Sequence, residues 1–192
     1  MSNLAEKRER FDRLLNHAQV PQDMIQAFFS DGHIEKVAVS RSHKEWVVHL
    51  SKKQVVPCDM FASFCRQIAD HFSGLVQVRF VLGYDESVED SVIAEEYWPL
   101  FVEKIQREEP SINGLLAKAR ITAAAGEIRL YLLDDTALEL ARKKNIPERV
   151  GEFYLASFRR RFRVLLDVSE TGAQELERFV QRIQEEEQEM IT

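Results

Sequence analysis

The fold of this chain is decided by the stretch RITAAAGEIRLYLL, which spans residues 120–133. In its second part Ile128, Leu130 and Leu132 occupy every other position, which is the period of a strand with one buried face. A short link ending in Gly126 separates this run from the one before it, as in a hairpin turn. The stretch therefore predicts a β-hairpin whose apolar face must be covered by the neighbouring segments.

The segments on both sides of this hairpin have the period of helices. Before it, an apolar stripe contains Pro99, which is expected to break or restart the helix because proline lacks the N–H of a helical residue. After it, Thr136 is expected to cap one helix and Pro147 to open another. Residues 164–168 then predict a buried strand, so this half has the order helix, strand, strand, helix, helix, strand.

That order resembles the type II KH domain, an RNA-binding module with a Gly-x-x-Gly loop between its two middle helices. Here the joint between those helices, residues 143–148, contains no glycine. Without glycine the backbone cannot come as close to phosphates as that grip requires. The pattern predicts a KH-like shape that has lost the nucleic-acid loop.

The first half of the chain shows a similar alternation of helices and strands. Its clearest part is another hairpin, with strands at residues 34–41 and 45–51, followed by a helix after Pro57 and one more strand. The segment from Gly83 to Ser87 separates the two halves, because a finished strand precedes it and new helix-capping residues follow.

The predicted fold class is therefore α+β, with two small two-layer α/β modules. The expected domains are an N-terminal α-α-β-β-α-β module at residues 1–84 and a type II KH-like module (αββααβ), without the Gly-x-x-Gly loop, at residues 85–169. Residues 170–192 are expected to form an acidic C-terminal helix or linker, because apolar residues at helical spacing end there in a run of glutamates.

Composition limits the partners and the compartment. A net charge of -6 and a pI near 5.5 argue against broad affinity for nucleic acid, although a local basic face could still bind it. Cys58 and Cys65 lie about two helical turns apart, too far for a disulfide, which favours the cytoplasm. No apolar run is long enough for a membrane span or a signal peptide, so neither membrane insertion nor secretion is expected.

The chain carries no recognisable motif for catalysis, a metal or a cofactor. It has no phosphate loop or nucleophile elbow, and its five histidines lack partners at metal-ligand spacing. Asp167 and Glu170 imitate the paired carboxylates of proofreading exonucleases, but their spacing sends them to opposite faces of a strand. Cys58 lies at a predicted helix N-terminus, where its pKa could fall. No catalytic, metal or cofactor residue is predicted.

Two groups of residues are candidates for contact with a partner. One is the basic cluster, which consists of Arg142, Lys143, Lys144, Arg149, Arg159, Arg160, Arg161 and Arg163. Such a cluster suits either solvated helix ends or a docking face for an acidic partner or nucleic acid. The other is the pair Tyr97 and Trp98, since beside Pro99 one ring can pack into the core and leave the other exposed as an anchor. The candidate interaction residues are Tyr97, Trp98, Lys143, Lys144, Arg159, Arg160, Arg161 and Arg163.

Several stretches resemble the N-terminal region of PolC-type bacterial DNA polymerase III. They are RERF at residues 8–11, IEKVAVSRSHKEWVVHL at residues 34–50 and YWPL at residues 97–100. The resemblance implies a parent chain that is a DNA-directed DNA polymerase with 3′-5′ exonuclease activity, none of whose catalytic residues has a counterpart here. It implies attachment to the replisome instead. The second half is also similar to the polymerase-binding C-terminal domain of the clamp-loader tau subunit.

Three hypotheses about function remain open from the sequence. The first is a non-catalytic protein-interaction region that attaches a replicative polymerase to other replisome proteins, such as the clamp-loader tau subunit, with weak or no binding of nucleic acid. The second is a KH-like module that binds single-stranded DNA or RNA through the arginines of the basic cluster. The third is a small enzyme that uses Cys58.

Overall fold

The computed structural model describes residues 3–169, in which helices pack with two small three-stranded sheets. The first half contains α1 (Leu4–His17), α2 (Gln22–Met24), a π-helical turn (Ile25–Phe29), β1 (His33–Ser40), β2 (Glu45–Lys52), α3 (Cys58–His71) and β3 (Gln77–Tyr84). The second half contains α4 (Asp90–Glu108), a 3-10 turn (Pro110–Ile112), α5 (Asn113–Ala117), β4 (Arg120–Ala124), β5 (Glu127–Leu132), α6 (Asp135–Lys143), α7 (Ile146–Phe158) and β6 (Arg163–Val168). The predicted α+β fold class is confirmed.

Both predicted hairpins are present. β1 pairs with β2 and β4 pairs with β5, in each case antiparallel. Between β4 and β5, Ala125 and Gly126 both have positive φ angles, 49° and 77°, as in the two-residue type I′ turn whose twist matches that of the strands. The alternation along β5 then buries Ile128, Leu130 and Leu132 completely.

The two halves share one topology. In each sheet the three strands lie side by side in chain order, and the third strand runs parallel to the second. β3 is thus parallel to β2, and β6 is parallel to β5. A parallel return needs a crossover connection. Helix α3 supplies it in the first half, and the pair α6 and α7 supplies it in the second. The chain is thus a tandem of two related units, the second with the order αββααβ.

Helix α7 joins the two halves, since it packs against both β3 and β6. β3 is buried on both faces, because Phe80 and Leu82 point to one side and Val81 to the other, and all three are at most 6% exposed. Gly83 points the same way as Val81, and a Cβ there would lie 3.7 Å from Arg159 at the end of α7. Helix α7 therefore covers the outer face of β3, the face that does not meet α3.

The corresponding outer face of the second sheet is open in the part of the chain that the structure describes. It lies opposite the buried side of β5. Its exposed residues are Arg120, Thr122, Ala124, Arg129, Arg163 and Asp167. Both signs of charge are present on this face, which therefore suits contact with water.

The expected break at Pro99 is wrong, because α4 continues through it. Pro99 cannot donate to the carbonyl of Glu95, four residues earlier. Both residues are exposed, so water can hydrate that carbonyl. Tyr97 and Phe101, on the opposite side of the helix, are buried and hold α4 against the core on both sides of the proline.

Two further local predictions need correction. The N-cap of α6 is Asp134, not Thr136, because the Asp134 carboxylate accepts the N–H of Ala137 at 2.7 Å. β6 is a half-buried strand rather than a buried one, since it lies at the edge of its sheet.

The expected domain bounds, residues 1–84 and 85–169, stay a prediction. The buried residues of both halves form one continuous apolar core. The expected C-terminal helix or linker, residues 170–192, lies outside the described residues.

Candidate interaction site

Tyr97 and Trp98 have different surroundings. Tyr97 is completely buried, and its ring stacks on that of Phe158 with the ring centroids 4.1 Å apart. Trp98 is half-buried beside Phe101, with the centroids 5.3 Å apart. Of the aromatic pair, only Trp98 keeps surface that a partner could touch, and Tyr97 belongs to the core.

The hydroxyl of Tyr97 closes a small hydrogen-bonded ring between the two halves. It donates to the carbonyl of Val56 at 2.7 Å and is bonded to the hydroxyl of Tyr84, which accepts the N–H of Val56 at 3.2 Å. Burial raises the pKa of both phenols, that of Tyr84 to about 12. Both hydroxyls therefore stay protonated near neutral pH and can donate within the ring.

Part of the basic cluster holds the end of α4. Lys144 forms an ion pair with Glu109, and Arg149 reaches Glu108 at 3.1 Å and Glu109 at 2.9 Å. The hydrogen bond from Lys144, followed by that from Arg149, holds the pKa of the Glu109 carboxyl below its ordinary value. These two cations thus support the fold of the second half.

Arg159 and Arg160 reach back to the first half. Arg159 pairs with Glu35 at 2.7 Å. Arg160 donates to the carbonyls of Tyr84 at 3.3 Å and Asp85 at 3.0 Å. Both arginines therefore fasten the connection between the halves, each through part of its guanidinium group.

The remaining members of the basic cluster form no ion pair with any residue in the range 3–169. They are Arg142 and Lys143 at the end of α6, Arg161 in the link before β6, and Arg163 at the start of β6, and all four are exposed. The cluster predicted from the sequence is therefore divided between cations with a structural role and cations that an anionic partner could reach.

The joint between α6 and α7 uses its own backbone donors. The N–H of Lys144 bonds to the carbonyl of Leu140, and the N–H of Asn145 bonds to that of Arg142, both at 3.0 Å. Asn145 takes a left-handed conformation, with φ 53°. A phosphate-binding loop needs free N–H groups that point outward, and these two are occupied.

Cys58 is not an activated nucleophile. It begins α3, but burial and then the carboxylate of Glu96 raise the pKa of its thiol, so the expected fall in pKa is wrong. The Glu96 carboxylate accepts the N–H of Cys58 at 2.7 Å, which brings a negative charge to the place where a thiolate would form. Both cysteines are free.

Within residues 3–169 no three or more His, Cys, Asp and Glu side chains are grouped to hold a metal ion. Nor does any helix there have the length and apolar character needed to cross a bilayer. Asp167 lies in β6, while Glu170, its partner in the exonuclease-like pattern, falls outside the described residues.

A cleft of about 510 Å³ lies between α7 and the start of β6. Its lining consists of Pro147, Glu148, Gly151, Glu152 and Leu155 from the helix, and Arg161, Phe162 and Val164 from the strand side. Sequence reasoning missed this cleft. The available signal was Gly151, a glycine inside a helical pattern, where it often marks a place for close approach.

Comparison with known proteins gives matches in both halves. Residues 10–82 match the family model described as DNA polymerase III polC-type N-terminus I, and residues 96–192 match the one described as N-terminus II. No solved structure gave a significant match.

Relatives named DNA polymerase III PolC-type align with most or all of the chain. The one from Bacillus cereus is 24% identical over 100% of this chain and 13% of its own length. The one from Listeria innocua is 28% identical over 95% of this chain and 13% of its own length. The one from Bacillus subtilis is 23% identical over 76% of this chain and 10% of its own length. The chain thus spans only about a tenth of these relatives.

The fold and the site define a protein of two like α+β units, in which no three metal-ligating side chains are grouped within residues 3–169. The chain belongs to the family of PolC-type DNA polymerase III N-terminal regions and corresponds to non-catalytic parts I and II of that polymerase.

Proposed function

We propose that this chain is a protein-interaction region that attaches a PolC-type replicative polymerase to other components of the replisome. The observation that carries the proposal is the occupied joint between α6 and α7, where the N–H groups of Lys144 and Asn145 bond within the helix end. A KH-like unit that has no glycine at this joint, and whose Lys144 and Asn145 N–H groups are engaged, lacks the close backbone approach by which such modules hold nucleic acid. The surface of this unit is then available for binding protein.

The internal use of the basic cluster supports the same proposal. Arg159 and Arg160 fasten the two halves, and Lys144 and Arg149 hold the end of α4. Contact with other replisome proteins, for example the clamp-loader tau subunit, would instead use Trp98 and the four cations without an ion pair among residues 3–169.

A second candidate function is binding of single-stranded DNA or RNA. The observation that favours it is the exposure of Arg161 and Arg163 beside the cleft between α7 and β6. Arg142 and Lys143 add two more exposed cations at the end of α6.

We expect the affinity for single-stranded nucleic acid to be no better than about 10⁻⁴ to 10⁻⁶ M at physiological salt, the range of non-specific phosphate contacts. Fluorescence anisotropy with a labelled oligothymidylate measures it. Nanomolar binding that weakens steeply with salt and is lost in Arg161→Glu would establish the second function instead of the first. Arg66→Glu, which makes the same change of charge at an exposed position of α3 outside the basic cluster, is the matched control and should leave binding unchanged.

Capture of partners tests the proposed attachment. The chain, immobilised as bait in an extract of replicating cells, is expected to retain replisome proteins identified by mass spectrometry. If Trp98 is an anchor of the contact, Trp98→Ala should weaken capture by about 2 kcal/mol, as for a hot-spot aromatic. Recovery of no replisome protein above the level of a blank matrix would contradict the attachment role.

A further inference from the structure

The cleft between α7 and β6 has an apolar floor with an acidic wall. Gly151 has no side chain, and an added Cβ would lie 3.6 Å from the carbonyl oxygen of Phe162, so the cleft is narrow at this point and open above it. Leu155 is 42% exposed, although large aliphatic side chains usually find cover. Val164 and Phe162 are half-buried on the opposite side. Such a floor accepts an aliphatic side chain.

The acidic wall comes from one stripe of α7. Glu148 and Glu152 are one helical turn apart, so they lie on the same side of the helix as Leu155. Both carboxylates are exposed, and neither forms an ion pair with a residue in the range 3–169. Arg149, between them in sequence, points away to Glu108 and Glu109. The helix wall therefore presents two carboxylates without an ion pair within residues 3–169, and Arg161 on the opposite side is the one cation in the lining.

The strand wall adds backbone groups. β6 lies at the edge of the second sheet and pairs only with β5 among the described strands. An edge strand leaves one row of N–H and C=O groups unpaired, which an extended peptide can complete. Phosphates would meet the carboxylates of Glu148 and Glu152, so the charge of the helix wall disfavours nucleic acid in this cleft.

We propose that this cleft binds an extended peptide segment of another protein, with an aliphatic side chain over Gly151 and a lysine or arginine two residues away against Glu148 and Glu152. In an extended chain, the side chains of residues i and i+2 point to the same side. One can therefore lie on the apolar floor while the other reaches the acidic wall beside it. The inference rests on the proposed protein-interaction function and names the chemistry of one partner surface.

A library of random dodecapeptides displayed on phage tests the proposal. It is panned on the intact chain and counter-selected on Glu148→Lys/Glu152→Lys. The peptides enriched on the unmodified chain are expected to carry an aliphatic residue two positions from Lys or Arg. A synthetic peptide with the enriched sequence should then bind the double variant about tenfold or more weakly, the effect of losing about one charge-assisted contact.

Two further variants distinguish binding in the cleft from a general effect of the chain's charge. Glu95→Lys/Glu139→Lys changes the charge equally at exposed helical positions outside the cleft lining and should leave peptide binding unchanged. Gly151→Leu fills the floor and should abolish binding, and circular dichroism shows whether it folds. Should it not fold, the charge variants alone decide.

The proposal fails if no peptide is enriched on the unmodified chain, if enriched peptides are acidic, or if they bind the two double variants equally. Binding of an oligothymidylate that competes with the peptide and depends on Arg161 would assign the cleft to nucleic acid. Capture of replisome proteins from extract that is equal for the unmodified chain and Glu148→Lys/Glu152→Lys would keep the attachment function and place it outside this cleft. If the unmodified chain neither captures replisome proteins nor binds any enriched peptide, both proposals are removed.

Discussion

Replacing Tyr97 with alanine is expected to lower the free energy of unfolding by about 3–5 kcal/mol, the cost of truncating a large buried aromatic side chain. Its ring lies between halves of the chain, stacked on Phe158 and edge-on to Phe61 at 5.9 Å. Truncation would also leave the carbonyl of Val56 without its donor inside the core. Urea denaturation followed by circular dichroism measures the change.

Two variants serve as controls for this prediction. Tyr97→Phe keeps the ring and removes the hydroxyl, so it should cost only about 1–3 kcal/mol, the penalty for a buried acceptor left without a partner. Trp98→Ala removes a half-buried ring of similar size from the next position and should cost less than Tyr97→Ala. A stability change below about 1 kcal/mol for Tyr97→Ala, which is less than any large core truncation, would show that this ring is not part of the core.

Replacing Lys52 with alanine is expected to cost about 3 kcal/mol, because it leaves a partly buried carboxylate without its cation and opens a cavity. Lys52 is only 2% exposed, and its ammonium group contacts the carboxylate of Asp31 and the carbonyl of Phe28. The Asp31 carboxylate also accepts the N–H groups of Lys53 at 2.8 Å and Gln54 at 2.9 Å. The pair thus ties the end of β2 to the loop before β1.

The same pair predicts how stability depends on pH. Burial opposes ionisation of Asp31, but the hydrogen bonds from Lys52 and from two backbone N–H groups outweigh it, so the pKa of this carboxyl is below its ordinary value. Its contribution is therefore present above the unfolded pKa of about 3.9 and is lost as pH falls through the lower pKa of the folded state. Thermal unfolding between pH 5 and pH 3 should show this loss.

Control variants separate charge from packing at this site. Lys52→Met keeps the aliphatic stem, and Lys52→Met/Asp31→Asn also removes the unpaired charge, so the double variant should recover part of the stability lost in Lys52→Met. Asp31→Asn should lose less stability than the unmodified chain as the pH falls from 5 to 3. An equally steep fall in both would mean that the pH dependence comes from other carboxyls.

Local sequence patterns predicted most of the helices and strands. The alternation in residues 120–133 gives the hairpin directly, because side chains on a strand have a period of two and the turn residues lie beside them in sequence. The break expected at Pro99 failed because Tyr97 and Phe101, on the buried side of α4, hold the helix against the core on both sides of the proline. The prediction of the N-cap of α6 failed because aspartate and threonine are both good caps. Only the backbone conformation shows that Asp134, not Thr136, is the extended residue before the helix.

The candidate site depended on contacts that no local pattern contains. The basic cluster is visible in the sequence, but its contacts are not. Lys144 pairs with Glu109, 35 residues earlier, and Arg160 donates to the carbonyl of Tyr84, 76 residues earlier. Only the fold shows which cations remain without an ion pair within residues 3–169. The cleft is likewise a product of tertiary structure, since its walls come from a helix and from a strand that follows a turn.

The way α7 covers the outer face of β3 makes the contact between the two units heterologous, or head to tail, because a helix of one meets a sheet of the other. Such a contact does not close on itself: within residues 3–169 the second sheet leaves open the face that α7 covers on the first. In solenoid proteins the terminal repeat stops further stacking with a polar outer surface. The arginines and Asp167 give the outer face of the second sheet the same polar character within residues 3–169.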